Sequence, residues 1–156
     1  MAMAEAIPQE KYGWRPADNA RSLSEVFVHL AVGHLMLLEM AGVPAPEDLY
    51  GPASADPQER ILQIIRRNDE MEKAIVDKGE ITALLRRSLD VARNAFTARD
   101  AASLEDARVI FDERSTVRRL YMRLLAHLHE HMGQLIGYVR MNGMKAPWPD
   151  WRPDRR

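Results

Sequence analysis

The chain has 156 residues, a formal net charge of −1 and an apolar content of 46 %. This length suits one domain with a buried core, and the composition is typical of a soluble globular protein rather than a disordered one. Basic residues are scattered among acidic ones instead of forming a stripe, so we expect no nucleic-acid partner. Cysteine is absent, which excludes disulfides, thiolate metal ligands and a cysteine nucleophile.

The N-terminal segment lacks the basic and then apolar pattern of a secretory signal. No apolar run approaches the length needed to cross a bilayer. We therefore expect a cytoplasmic protein with no membrane partner, folded as one domain over residues 1–156.

The first long helix has clear start and stop signals, after a weak helical stub at the N-terminus. Ser22 and Glu25 form a capping box, in which the serine hydroxyl accepts from the amide of Glu25 and the glutamate accepts from the amide of Ser22. Apolar residues at helical spacing continue to Gly42, with Pro44 just beyond. The pattern predicts a helix over 22–41.

A second long helix follows a segment that is poor in helix-forming residues. Residues 43–55 are too rich in proline and glycine for a helix. Asp56 and Pro57 mark the new start, since Asp is a favoured N-cap and Pro is favoured at the first helical position. We expect this helix to run to about Val76, where the step at residues 77–79 breaks or bends it.

The next helix is predicted over 80–98 from its stripe of leucine, isoleucine and valine. A loop follows over 99–111, and its apolar pair Ile110–Phe111 is expected to pack against the helices. No β pattern is apparent anywhere in the chain.

The last helix is predicted to begin near residues 112–115 and to end at Met141. Asn142-Gly143 supplies the left-handed backbone that closes many helices. The tail over 144–156 is rich in proline and is not expected to be helical. Amphipathic helices joined by such loops predict an all-α antiparallel bundle.

Three of the histidines are candidates for one metal site. His127 and His131 lie four residues apart on the apolar stripe of the last helix, where a bundle helix normally carries leucine. Residues with this spacing have Cβ atoms about 5–6 Å apart, so both imidazoles can reach one ion. His29, on the apolar side of helix 22–41, is the natural third ligand.

The two remaining histidines are poor candidates for the same site. His34 is five residues beyond His29, roughly 140° around the helix. His129 points to nearly the opposite side of the last helix from the two predicted ligands.

Three neutral imidazoles leave coordination positions open for water or substrate, which is typical of a catalytic metal site. Such ligands suit Zn, Ni, Fe, Co or Mn. Tyr138 and Gln134 are the candidate catalytic residues, because they continue the track of the two ligands on the last helix. Tyr138 could donate to a developing negative charge, and Gln134 could orient the substrate or a histidine ring.

No buried carboxylate is apparent in a position to act as a general base, since Glu130 is expected to point away from the ligand pair. Activation of a thiol by a metal needs no such base. The sequence therefore mildly favours transferase over hydrolase chemistry.

Two blocks of this sequence resemble the DinB (damage-inducible) superfamily. The first contains Trp14-Arg15-Pro16 and the helix start that leads to His29. The second closes the last helix and continues beyond it, with Leu128, His131, Gly133-Gln134, Tyr138, Arg140, Gly143 and Pro147-Trp148.

The resemblance implies an antiparallel four-helix bundle, here with a shortened first helix because few residues precede Trp14. It also implies that His29, His127 and His131 bind one divalent metal ion, and that the protein is a homodimer. Family members with an assigned activity are similar to metal-dependent thiol-S-transferases that use low-molecular-weight thiols, or to related isomerases and hydrolases. We therefore expect a small-molecule substrate and a low-molecular-weight thiol as partners.

Two other interpretations stay open at this point. The chain could be a metal-binding stress-response protein without turnover, in which the metal stabilises the bundle or senses a ligand. It could also be a plain helical dimerisation module, in which the histidines are hydrogen-bonded core residues.

Overall fold

Helices and one β-hairpin form the part of the chain that the computed structural model describes, residues 1–110 and 113–148. In chain order these are α1 (Ala2–Ala6), α2 (Leu23–Met40), α3 (Glu47–Tyr50), α4 (Pro57–Ala74), α5 (Lys78–Thr97), β1 (Ala107–Ile110), β2 (Glu113–Thr116) and α6 (Val117–Met141). Two 3-10 turns, Gln9–Lys11 and Ser103–Glu105, lie between them. The long helices are α2, α4, α5 and α6, whereas α1 has only five residues. The expected helical fold with a short first helix is therefore confirmed.

The helix starts are set by the local signals that the sequence contains. Ser22 Oγ accepts from the amide of Glu25 at 3.2 Å, and the Glu25 carboxylate accepts from the amide of Ser22 at 2.6 Å. Asp56 caps α4 in the same way, by accepting from the first amides of that helix. Asp77 caps α5. The helical structure therefore breaks between α4 and α5 instead of bending within one helix. α4 ends at Ala74 rather than near Val76.

The end of α6 is a Schellman motif, as the Asn142-Gly143 pair predicts. Gly143 has φ +71°, and its amide donates to the carbonyl of Arg140 at 3.0 Å. The amide of Met144 donates to the carbonyl of Val139 at 3.0 Å. At the other end, α6 begins at Val117.

A β-hairpin replaces the predicted loop before α6, so the expectation of no β structure is wrong there. β1 and β2 pair antiparallel, with Ala107 opposite Thr116 and Ile110 opposite Glu113. Strands of four residues, half of them exposed, are too short for an alternating pattern to be visible in the sequence. Ile110 packs against the second apolar cluster of the core. Its predicted partner Phe111 lies outside the described residues, as do Asp112 and the end of the tail from residue 149.

The proline-rich segment before α4 contains one helical turn, α3, so the expectation that this segment has no helix is wrong for four residues. Pro46 stands at its N-cap, where a missing N–H is tolerated, and Gly51 ends it at φ +70°. Tyr50 is buried, and its hydroxyl donates to Asn68 Oδ1 on α4 at 2.8 Å. This tertiary contact holds the turn.

The central helix of the fold is α2, which packs against α4, α5 and α6. Over its 18 residues α2 has a mean hydropathy of 1.4, so by length and composition it could cross a membrane. The expectation that no apolar run reaches that length is therefore wrong. Because 72 % of the segment is buried inside the protein, its apolar character is that of a core helix surrounded by other helices.

Candidate metal centre

Three histidines from two helices converge beside a cavity. His29 on α2 and His127 and His131 on α6 each offer a ring nitrogen, and these nitrogens all lie within 4.8 Å of one another. The Nε2 atoms of His29 and His127 are 3.1 Å apart. The ring of His131 lies 4.7 Å from that of His29 and 4.6 Å from that of His127, measured between ring centroids. The structure thus brings together the residues that the helical spacing selected.

The separation of these nitrogens fits a shared metal ion. Nitrogens bound to one ion at about 2.0–2.1 Å lie roughly 3.0–3.4 Å apart, depending on the angle at the ion. The observed 3.1 Å between the rings of His29 and His127 is within that interval. Burial lowers the pKa of His127 to about 3, assisted by the neighbouring histidines, and burial also lowers the pKa of His131. Both rings are therefore neutral at pH 7 and have a lone pair for a metal.

Hydrogen bonds at the far nitrogens orient two of the three rings. His29 Nδ1 lies 2.6 Å from Glu72 Oε1, and His131 Nδ1 lies 2.8 Å from Gln134 Oε1. A carboxylate oxygen and an amide oxygen only accept, so each Nδ1 donates, and Nε2 is the ring nitrogen left to bind a metal. Metal-binding histidines usually have this arrangement.

Glu72 is a buried carboxylate at the site that sequence reasoning missed. It comes from α4, is 9 % exposed and accepts from Arg21 at 2.8 Å as well as from His29. Burial raises the pKa of Glu72, but the hydrogen bonds from His29 and Arg21 outweigh burial and the net pKa is lowered. The carboxylate is therefore ionised. The sequence did contain a signal that Glu72 is buried. Glu72 lies eight residues beyond Ile64 on the same face of α4, and Ile64 is fully buried.

Gln134 and Tyr138 form a chain of hydrogen bonds behind His131. Gln134 accepts from the histidine ring and donates to the Tyr138 hydroxyl at 2.9 Å. Tyr138 is buried, and its ring packs edge-on against Trp14 with centroids 5.4 Å apart. Among the described residues, Gln134 and Tyr138 are not part of the cavity lining, so direct donation by Tyr138 to a substrate stays a prediction.

The cavity beside the histidines has a volume of about 400 Å³. Its apolar wall is formed by Met36, Leu37 and Ile65, and charged residues line it elsewhere. One of these, Glu130, is exposed and forms an ion pair with Arg123 at 2.9 Å. The site therefore has both a binding surface for an organic molecule and access from solvent.

Gly33 is a site residue that sequence reasoning missed. A Cβ atom at this position would lie 2.7 Å from Cε1 of His127. Only glycine leaves room for the ring between α2 and α6. A glycine inside a helix costs about 1 kcal/mol relative to alanine, so its presence in the middle of α2 was a signal of close packing.

The other two histidines do not belong to the converging group. His129 is exposed, and its Nδ1 donates to the carbonyl of Leu125 at 2.8 Å. His34 is fully buried, with its ring centroid 6.2 Å from that of His127.

The sequence profile of the DinB superfamily matches residues 1–135. This match covers most of the chain and includes all three converging histidines. The chain belongs to the DinB superfamily. The second sequence block that resembles the family extends beyond the matched region, to Trp148.

A solved structure gives an independent view of the fold of this DinB-superfamily chain. The crystal structure of a DinB-like protein from Bacillus cereus, at 2.01 Å resolution, superposes with a TM-score of 0.68 at 15 % sequence identity. The alignment covers 95 % of this chain and 86 % of that one. At such low identity the likeness shows the fold alone. Comparison with curated proteins gave no match.

Proposed function

We propose that this DinB-superfamily protein is a metal-dependent enzyme in which His29, His127 and His131 bind one divalent ion. The observation that carries the proposal is the convergence of three ring nitrogens within 4.8 Å at the wall of a cavity. All three ligands are imidazoles, which suits Zn, Ni, Fe or Mn.

The proposed reaction is the transfer of a group to or from a low-molecular-weight thiol, with hydrolysis as the related alternative. A divalent ion with open coordination positions lowers the pKa of a bound thiol or water and so supplies a nucleophile at neutral pH. The residues of the chain orient the ligands and bind the substrate. Glu72 and Gln134 hold the rings of His29 and His131, and the apolar wall of the cavity binds the organic part of the substrate.

The hydrogen bonds of Glu72 favour thiol chemistry over hydrolysis. One of its oxygens accepts from His29 and the other accepts from Arg21, and these bonds lower the pKa of Glu72, so the carboxylate is a weak base for an attacking water. Two further carboxylates line the cavity, and both are exposed: Glu130, which is paired with Arg123, and Asp69 on α4. Hydrolysis requires a base for the attacking water more often than transfer from an ionised thiol does.

The alternative function is that of a metal-binding stress-response protein without turnover. It is supported by the fact that the ligands come from two helices, so an ion bound to them would tie α2 to α6. The two functions differ at the open coordination positions, which an enzyme uses for substrate and a structural site fills with a protein group. Homodimerisation and a cytoplasmic location remain predictions in either case.

The test is an activity screen with defined metal content. The purified protein would be analysed for bound metal, loaded with Zn, Ni, Fe or Mn, and assayed with a low-molecular-weight thiol against a panel of electrophiles. The enzyme proposal predicts turnover that depends on metal and is lost in His127→Ala but retained in the matched control His129→Ala. Stoichiometric metal without turnover across the panel would favour the non-catalytic alternative.

A further inference from the structure

The three proposed ligands differ in what contacts their second ring nitrogen. His29 and His131 donate from Nδ1 to Glu72 and Gln134. His127 Nδ1 is buried and has no hydrogen-bond partner within the described residues. Because Nε2 of His127 faces the other ligands, Nδ1 has to carry the ring proton in the metal-bound form. A buried donor of this kind is rarely left without an acceptor.

His34, which lies beside His127, also lacks hydrogen-bond partners for its ring. It is 0 % exposed, and neither of its ring nitrogens has a partner in residues 1–110 and 113–148. Its ring centroid lies 6.2 Å from that of His127, with the two ring planes at 72°. Two neighbouring imidazoles thus have unused hydrogen-bonding groups, and both are shielded from bulk solvent.

The separation of these rings fits one bridging water better than a direct bond. A direct N–H···N bond would need the nitrogens within about 3.2 Å, and no such contact is formed. One water can accept from His127 Nδ1 and donate to the unprotonated nitrogen of His34, which gives each ring a hydrogen-bond partner.

We propose that His34 is the positioning residue for His127. A bridging water accepts from His127 Nδ1–H and donates to a ring nitrogen of His34. This bridge keeps Nε2 of His127 directed at the metal. His34 would then have the role for His127 that Glu72 has for His29 and Gln134 has for His131. This inference rests on the proposed function, since it requires His127 to be a ligand.

The surroundings of His34 agree with this role. An aliphatic side chain would be favoured at a fully buried position of the central helix unless the ring made a needed polar contact. The preceding residue, Gly33, already provides the space for the His127 ring. Burial lowers the pKa of His34 to about 4, so at pH 7 the ring is neutral and has a nitrogen that accepts.

The experiment compares metal affinity in two variants of the full chain. His34→Leu removes the acceptor, whereas His34→Gln keeps a polar group that can accept from the water. Zn²⁺ dissociation constants would be measured by competition with a chromogenic chelator. We expect His34→Leu to weaken Zn²⁺ binding about 10–100-fold, the usual effect of losing such a partner, and His34→Gln to recover most of the affinity. His129→Leu, the same substitution at an exposed histidine, is the control and should bind like the wild type.

A second readout uses the wild-type protein alone, so the test does not depend on whether the leucine variant folds. Long-range ¹H–¹⁵N NMR of the Zn²⁺-loaded protein should show His127 protonated at Nδ1, with slow solvent exchange of that proton and a cross-relaxation signal to the His34 ring. A rapidly exchanging Nδ1 proton would overturn the role of His34.

The outcomes separate this inference from the proposed function. Equal Zn²⁺ affinity in the wild type and a folded His34→Leu variant would overturn the inference while leaving the metal site intact. A wild type that binds no metal would overturn the proposed function, and the role of His34 with it. A change only in the melting temperature of the metal-free protein would show that His34 acts in packing, and would also count against the inference.

Discussion

His127 and His34 are both buried, and burial decides their charge. Removal from water disfavours the protonated imidazolium, so burial lowers the pKa of His127 to about 3 and that of His34 to about 4. Neutral rings are the form in which histidine binds a metal or accepts a hydrogen bond. Their burial thus keeps these rings available at physiological pH.

The lowered pKa of His34 predicts a stability that falls in acid. Between pH 6.5, its ordinary pKa, and about 4, its pKa in the fold, the unfolded chain binds a proton that the folded chain does not. The unfolding free energy should therefore decrease as the pH drops through this window, with roughly 3 kcal/mol of the decrease due to His34 at about 1.4 kcal/mol per pKa unit. Urea denaturation of the metal-free protein at several pH values measures this decrease in unfolding free energy. The decrease should be shallower in His34→Leu, and equal slopes in the two proteins would contradict the prediction.

Glu72→Ala tests the carboxylate that sequence reasoning missed. The change leaves His29 Nδ1 without its acceptor and Arg21 without its partner, so the ring is no longer held in one orientation. We expect the metal dissociation constant to rise about 10–100-fold in a chelator competition assay. Asp69→Ala is the matched control, since Asp69 is an exposed acidic residue of the same cavity and helix. A similar loss in both variants would show a general effect of charge.

Gly33→Ala should reduce metal binding while leaving the fold intact. The new methyl group would lie 2.7 Å from Cε1 of His127, so the ring has to leave the position in which it faces the other ligands. Gly133→Ala is the control, because no atom lies within 4 Å of a Cβ at that position. The control should gain about 0.5–1 kcal/mol of unfolding free energy from helix propensity and bind metal normally. Normal metal affinity in Gly33→Ala would contradict the prediction.

Among the helices and strands, the two ends of α2 are held in different ways. Its N-terminus uses the local capping box of Ser22 and Glu25. Its C-terminus is held by distant residues, since Arg99 and Arg108 each donate to the carbonyl of Ala41 at 3.1 Å. Arginine at a helix C-terminus satisfies free carbonyls and interacts favourably with the helix dipole. Because Arg108 lies on β1, this contact anchors the hairpin to the central helix.

Ser22→Ala tests the capping box at the N-terminus of α2. The variant loses the hydroxyl that accepts from the Glu25 amide, and we expect a decrease of about 1 kcal/mol in unfolding free energy. Urea denaturation monitored by circular dichroism measures the change. Ser22→Thr keeps the hydroxyl and should be close to the wild type. Equal losses in the two variants would show that packing around this buried position, and not the cap, is responsible.

For the whole molecule, the histidines join two helices that are far apart in sequence. His29 comes from the central helix, and its partners come from the last helix of the fold. A ligand that binds only the folded state stabilises it by mass action, by about 2.7 kcal/mol at a free concentration of 100 times the dissociation constant. Metal binding at this site should therefore be visible in the unfolding of the entire chain.

Removal of metal by a chelator should lower the melting temperature of the wild type. For a chain of this size each kcal/mol corresponds to about 2–4 °C, so we expect a decrease of roughly 5–10 °C from a loaded sample. Scanning calorimetry with and without EDTA measures the difference. His131→Ala should show no response to the chelator, and an unchanged wild-type melting temperature would contradict the proposed metal site.

Much of the fold could be predicted because helix boundaries depend on neighbouring residues. The box at Ser22, the cap at Asp56 and the closing glycine of α6 all act within one helical turn. The pairing of His127 with His131 could be predicted for the same reason, since a helix fixes the positions of residues four apart. The sequence by itself therefore determined the long helices, the apolar faces and the candidate ligands.

Only the tertiary structure decided which groups meet between helices. The contact of Glu72 with His29 depends on how α4 packs against α2, and the need for Gly33 depends on how closely α6 approaches. The hairpin also depends on a distant contact, because Arg108 reaches the end of α2 beside Gly42. No short-range pattern encodes such distances, since they follow from the packing of whole helices against one another.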